Sequence, residues 1–219
     1  MNKTALKNYA RLIVRCGMNV QKGQEVLIRA ELDQPEFVKL VVEECYKAKA
    51  KEVTVQFGYQ PLEKLHVRYQ SVKTLGGVKE WHKARQQHYC DVLPCTLYLT
   101  SEDPDGLKGM NTAKMAKARR LSYPILKPYA DAREGKQQWC IAAVPGKAWA
   151  KKVFPGMRSS AAMERLWEAI LSASRVEGDP VEVWHKHNAD LKARCDYLNA
   201  LNIRKLHFTA DNGTDKDID

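Results

Sequence analysis

A chain of 219 residues is long enough for one large domain or two small ones. Its 44% hydrophobic and 28% charged residues are ordinary for a globular protein, and no apolar run approaches the ~20 residues that a membrane-spanning helix needs. We therefore expect no membrane partner. The formal net charge of +10 is large enough to require an explanation, because it is also typical of proteins that bind polyanions.

Helical and strand patterns alternate from the start of the chain. A first helix is predicted over residues 4–16, because apolar residues recur at three- and four-residue steps, and Gly17 is predicted to be its left-handed cap. A strand at 25–30, a helix at 35–48 and a strand at 51–57 then predict a βαβ unit, and such units have right-handed crossovers and parallel strands.

The same alternation continues to the end of the chain. It predicts the fold class as α/β, a three-layer domain with a mostly parallel central sheet flanked by helices. We expect this domain to cover residues 1–210, followed by a polar tail at 211–219 that is entered through an Asn-Gly turn. The further strands are predicted at 95–100, 139–144 and 205–209, and the further helices near 61–73, 78–89, 112–120, 147–154, 161–174 and 180–201.

The N-terminus lacks the continuous apolar stretch of a secretory signal, which predicts a cytoplasmic protein. Six scattered cysteines in a chain of this size are interpreted as reduced and mostly buried thiols. The positive charge is densest at residues 106–130 and 147–158, which contain no acid. We favour a solvated face, or a face that meets an acidic partner domain, over one that binds nucleic acid.

Most signatures of a self-contained active site are absent from the sequence, including those for dinucleotides, nucleotide phosphates, serine nucleophiles and helical zinc pairs. His185 and His187 lie two apart in a helical pattern, so they point to different faces and are not expected to chelate one ion. Asp103 and Asp105 follow a predicted strand, where open α/β sheets bind their ligands, which makes them candidate cleft residues. A plain turn also explains their composition.

Several segments resemble the thermophilic metallo-aminopeptidase family, of the aminopeptidase S and T type. The resemblance covers nearly the whole chain in order. The segments that carry it are Leu6–Ala30, Pro35–Val55, Trp139–Pro155, Asp179–Asn188, Leu198–Asn202 and Gly213–Asp215.

This resemblance implies an enzyme that removes N-terminal residues from peptides with two divalent metal ions, zinc or cobalt, which activate a water molecule. In the family the metal ligands belong to a C-terminal domain that begins after the segment matching Gly213–Asp215. None of those ligand motifs occurs here, so we expect the chain to contribute no catalytic residue, to bind no metal and to be inactive alone. Whether its end is natural stays open.

In such an enzyme this half is predicted to form one wall of the substrate cleft. Trp149 and Arg158 join Asp103 and Asp105 as candidate cleft residues, although Trp149 also fits a core position and Arg158 a surface charge. The surface that would dock the C-terminal domain is expected to be apolar, which is compatible with a homodimer. Two alternatives remain: a basic module that binds anions or nucleic acid, and a non-catalytic interaction domain.

Overall fold

The computed structural model describes residues 2–218. The described chain divides between Pro180 and Val181 into two compact units. The first is an α/β unit and contains all four strands of the central sheet. No helix within residues 2–218 is long and apolar enough to cross a lipid bilayer.

The central sheet has the strand order β2-β1-β3-β4, and all three strand pairs are parallel. The two inner strands are apolar runs, as expected for strands covered on both faces. Leu27 and Ile28 of β1 are 2% and 0% exposed, and burial of each contributes about 1.5–3 kcal/mol. The strands are β1 Glu25–Glu31, β2 Glu52–Gly58, β3 Cys95–Thr100 and β4 Trp139–Ala143.

Helices flank this sheet, which confirms the predicted fold class. The chain runs from β1 outward to β2, then back past β1 to β3 and on to β4. Because parallel crossovers are right-handed, the first connection lies on one face and the next two on the other. The helices of this unit are α1 Lys3–Leu12, α2 Pro35–Lys47, α3 Gln60–Tyr69, α4 Val72–Gly76, α5 Glu80–Val92, α6 Thr112–Arg133, α7 Lys147–Val153 and α8 Ser159–Ala173.

An aromatic cluster joins α1, α2 and α8. The ring of Phe37 lies 5.5 Å from that of Tyr9 and 5.4 Å from that of Trp167, between ring centroids. All three side chains are buried. The Tyr9 hydroxyl also donates a hydrogen bond to the carbonyl oxygen of Ala143 at 3.1 Å. This bond fixes the three helices against the end of β4.

The end of the first helix differs from the prediction. Gly17 is not a left-handed cap, because the helix continues through a π-helical turn at Ile13–Gly17, and Asn19 is the residue with a positive φ, of 49°. Gly17 packs closely against β4: a Cβ atom there would lie 2.7 Å from Sγ of Cys140, so one of the two groups would have to shift.

Two other helices were also predicted with the wrong extent. The single helix expected at 61–73 is two helices, since Gln70 is extended and the Ser71 side chain caps α4. Helix α6 continues to Arg133 instead of ending near residue 120, with Pro124 and Pro128 inside it.

The second unit contains most of α9, Pro180–Ala200, and an antiparallel hairpin of β5, Leu206–Ala210, and β6, Thr214–Ile218. Gly213 turns the hairpin with a φ of 86°. Residues 214–218 of the predicted polar tail thus form a strand, while Asp219 lies outside the described residues. The domain boundary at residue 210 stays a prediction.

Candidate functional site

Open α/β sheets bind their ligands at the point where neighbouring strands continue into connections on opposite faces. Here that point lies between β1 and β3, which are adjacent in the sheet but continue into connections on opposite faces. A crevice of about 190 Å³ opens there at the carboxyl ends of the strands. Its lining comes from the segments after β1, β2 and β3 and from the first residues of α7.

Hydrogen bonds join the segments that form this crevice. The hydroxyl of Ser101, which is 3% exposed, donates to Oδ1 of Asp33 at 2.8 Å. Nε2 of Gln34 donates to the carbonyl oxygen of Pro145 at 2.7 Å. A Cβ atom at Gly146 would lie only 1.9 Å from the carbonyl oxygen of Ser101, so no larger residue fits there without backbone movement. The segments after β1, β3 and β4 are therefore in direct contact.

Gln60, at the start of α3, holds the segment after β3. Its Oε1 accepts a hydrogen bond from the backbone N–H of Asp103 at 2.9 Å, and its Nε2 donates to the carbonyl oxygen of Asp103 at 3.3 Å. Gly106 permits this approach, because a Cβ atom there would lie 2.5 Å from Oε1 of Gln60. Both backbone groups of Asp103 are thus engaged, and its carboxylate accepts from the N–H of Asp105 at 2.9 Å.

Acidic side chains dominate the lining, with one lysine, Lys147, among them. Burial raises the pKa of Glu31 above its usual range, and the negative charge of Glu102 raises it further. Four carboxyl groups and one lysine give the lining a negative charge, which a bound cation or ammonium group relieves. The crevice is therefore suited to positively charged groups. The acidic lining residues are Glu31, Asp33, Glu102 and Asp103.

Of the four predicted cleft residues, only Asp103 lines the crevice. Asp105 is exposed and accepts from Nζ of Lys152 at 2.8 Å through both carboxylate oxygens, and this contact holds its pKa below the usual range. Trp149 is half-buried on α7, and Arg158 is exposed at the residue before α8. Neither is among the residues that line this crevice.

Sequence reasoning missed Glu31, Asp33, Ser101 and Gln60. The rule that selected Asp103, a polar residue just past a strand, applies equally to Glu31, Asp33 and Ser101, so a signal for these three was present. Gln60 had no such signal, because its role depends on the tertiary approach of two connections.

Within residues 2–218, no group of three or more His, Cys, Asp or Glu side chains is arranged to hold a metal ion. The acidic crevice residues do not form such a group either. The described residues thus do not provide a two-metal site by themselves, and the resemblance assigns its ligands to the C-terminal half; that this chain binds no metal stays a prediction.

Comparison with known proteins identifies the family. Residues 2–219 match the sequence model of the thermophilic metalloprotease (M29) family. The chain is 33% identical over 212 residues to aminopeptidase AmpS of Bacillus subtilis, covering 96% of this chain and 52% of that protein. It is also 33% identical over 215 residues to aminopeptidase T of Thermus thermophilus, covering 97% of this chain and 52% of that protein.

The fold agrees with the sequence match. The solved structure of wild-type AmpT from Thermus thermophilus superposes with a TM-score of 0.84 at 32% identity, covering 97% of this chain and 52% of that one. The chain thus spans about half the length of the relatives it matches. The match of residues 2–219 to the family's sequence model shows that the chain belongs to the thermophilic metalloprotease (M29) family.

Proposed function

We propose that this chain is the N-terminal α/β part of a metal-dependent aminopeptidase, and that it forms one wall of the cleft that binds peptide substrates. The observation that carries the proposal is the match of nearly the whole chain to about half of each of two aminopeptidases. The metal ligands are then supplied by the other half, and the chain alone is inactive.

The acidic crevice supports a role in substrate binding. A peptide with a free amino terminus carries an ammonium group, and an acidic lining with one lysine attracts such a group. The crevice lies at the carboxyl ends of β1 and β3, where this fold class places ligands. Glu31 and Asp33 are the side chains that we assign to this attraction, together with Asp103.

The expected inactivity of the isolated chain is tested with the 219-residue protein and an amino-acyl chromogenic substrate. We expect no hydrolysis above the blank when zinc or cobalt is added. Turnover that depends on metal and disappears with a chelator would overturn this part of the proposal.

The role in the cleft is tested with a chimera, in which this chain replaces the matching half of aminopeptidase T of Thermus thermophilus. We expect metal-dependent release of N-terminal residues. The double variant Glu31→Gln/Asp33→Asn should raise KM for a peptide with a free amino terminus by about tenfold, with a much smaller effect on kcat. Glu52→Gln, an exposed change at the start of β2, is the matched control. Equal KM values for the double variant and the control would reject the binding role.

A further inference from the structure

A second cavity, whose lining shares no residue with the acidic crevice, has the opposite charge. It measures about 500 Å³, within the range of small-molecule sites. Helix α3 provides Lys64, Val67 and Arg68, and the loop and first turn of α6 provide residues 108–111 and Lys114. Among the lining residues four are cationic and none is acidic. We call this cavity the basic pocket.

The four cations come together through local geometry. Lys64 and Arg68 are four residues apart on α3, so they lie on the same helix face. Lys114 is in the first turn of α6, and its Nζ donates to the carbonyl oxygen of Arg68 at 3.5 Å, which joins the two helices. Lys108 belongs to the loop before α6. Val67, 7% exposed, supplies a buried apolar contact beneath them.

Within residues 2–218, these charges have no carboxylate in direct contact. Elsewhere lysines form ion pairs: the Nζ atoms of Lys47 and Lys51 lie 2.8 Å from carboxylate oxygens of glutamates. Over residues 2–218, by contrast, none of the four pocket cations forms an ion pair. Asp105 is near enough for the charge of Lys108 to lower its pKa, but its carboxylate is already held by Lys152. Four like charges around one cavity repel each other, and an anion relieves that repulsion.

The backbone at the pocket adds to the positive potential. Helix α6 has 22 residues, its first turn contains no acid, and Asn111 caps it by accepting from the N–H of Lys114 at 2.9 Å. The first amides of a helix lack intrahelical partners and carry a partial positive charge. Gly109 precedes this turn with a φ of 81° and open space where a Cβ atom would be. Gly109 thus lines the pocket with open space beside its backbone.

We propose that the basic pocket binds a phosphate group, either as inorganic phosphate or as the phosphoryl group of a small metabolite. A phosphate matches the site better than a carboxylate does, because it carries up to two charges and several acceptor oxygens. The guanidinium of Arg68 can bind two of these oxygens at once, and the lysines supply single charges. The inference does not depend on the aminopeptidase activity, because the pocket and the acidic crevice have different linings.

The test is isothermal titration calorimetry on the 219-residue protein with inorganic phosphate, a nucleoside monophosphate and acetate, at matched low ionic strength. We expect at least one of the two phosphate ligands to bind and acetate to bind at least about tenfold more weakly. Binding of inorganic phosphate assigns the site to the free ion, and binding of the monophosphate alone assigns it to a phosphorylated metabolite. Absence of binding by both phosphate ligands overturns the proposal, as does acetate binding equally well.

Paired variants locate the site. Arg68→Gln/Lys114→Gln removes two pocket charges, and Lys3→Gln/Lys22→Gln removes two exposed charges elsewhere. We expect the first pair to weaken phosphate binding by about tenfold or more and the second to change it less than about twofold. Arg68→Lys keeps the charge but loses the two-oxygen contact, so an intermediate effect is expected. Circular dichroism confirms that each variant is folded. Equal weakening by both double variants indicates diffuse attraction, such as that of nucleic acid, and rejects the pocket.

Discussion

The hydroxyl of Ser101 donates a hydrogen bond of 2.8 Å to Oδ1 of Asp33, across the point where β1 and β3 continue to opposite faces of the sheet. Ser101 is buried, and removing its hydroxyl would leave Oδ1 of Asp33 without this hydrogen bond. The contact therefore stabilises the fold at the same place where it shapes the crevice.

Replacing Ser101 by alanine should lower the free energy of unfolding by about 1–3 kcal/mol, since a hydrogen bond to a charged group is lost in a buried site. Urea denaturation monitored by circular dichroism measures the change. Ser122→Ala is the control, because the Ser122 hydroxyl makes an exposed contact with the carbonyl oxygen of Arg119 and its loss should cost less than about 0.5 kcal/mol. Similar losses in both variants would argue against a special role for the contact between Ser101 and Asp33.

Glu31 should make the protein less stable as the pH rises. Its pKa is raised in the folded state, first by burial and then by Glu102, so the stability that it contributes is complete only below the unfolded pKa of about 4.3. The associated stability is lost as the pH increases through the folded pKa and stays lost at neutral pH.

The variant Glu31→Gln lacks this pH-dependent loss. Relative to the wild type, it should gain stability between pH 4 and neutrality, measured as the free energy of unfolding in urea at a series of pH values. Glu52→Gln, at an exposed position, is expected to follow the wild-type profile. Parallel profiles for Glu31→Gln and the wild type would contradict the assignment.

Tyr9→Phe should destabilise the protein by about 0.5–1.5 kcal/mol, because the hydrogen bond to the carbonyl oxygen of Ala143 is lost while the aromatic packing stays. Tyr69→Phe, at a residue that is 74% exposed, should have almost no effect. Thermal denaturation of the two variants and the wild type compares them directly.

The raised pKa of Tyr9 also predicts that the protein loses stability at alkaline pH. Burial raises its pKa to about 12, above the unfolded value of about 10. Its contribution is therefore complete below about pH 10 and declines as the pH increases through about 12. The decline should be shallower in Tyr9→Phe when unfolding is measured from pH 9 upward. An unchanged slope would show that other groups cause it.

The six cysteines are all free in the structure and should react with a thiol reagent at different rates. Cys45 and Cys95 are 0% exposed, and burial raises the pKa of each thiol to about 12, so little thiolate is available. Cys195 is exposed. We expect Cys195 to be labelled first and Cys45 and Cys95 to react only after denaturation. Peptide mass spectrometry identifies the labelled cysteine, and the early label should be absent from Cys195→Ser.

Much of the fold was predictable because its signals are local. The apolar runs of β1 and β3 identify the inner strands, and Pro35 in the first turn marks the start of α2. The end of α6 was not predictable in this way. Pro124 and Pro128 normally end a helix because each lacks an N–H and clashes with the preceding turn, yet α6 continues through both to Arg133.

The site residues were likewise predictable only where their signal is local in the sequence. Asp103 was found because it follows a strand, a relation visible along the chain. The contact of Gln60 with the backbone of Asp103 joins positions that are 43 residues apart. Gly17 illustrates the opposite error: its position after a helix suggested a left-handed cap, whereas its φ is not positive and it packs closely against the Cys140 sulfur.

The close approach of Gly146 to the Ser101 carbonyl has a consequence for ligand binding. With Gln34 and Ser101 also hydrogen-bonded across neighbouring connections, the walls of the crevice are held before any ligand arrives. A ligand that enters therefore loses little free energy to the ordering of loops, and more of its contact energy becomes affinity. An alanine at position 146 would force these segments apart, so weaker binding would accompany lower stability even though residue 146 itself carries no functional group.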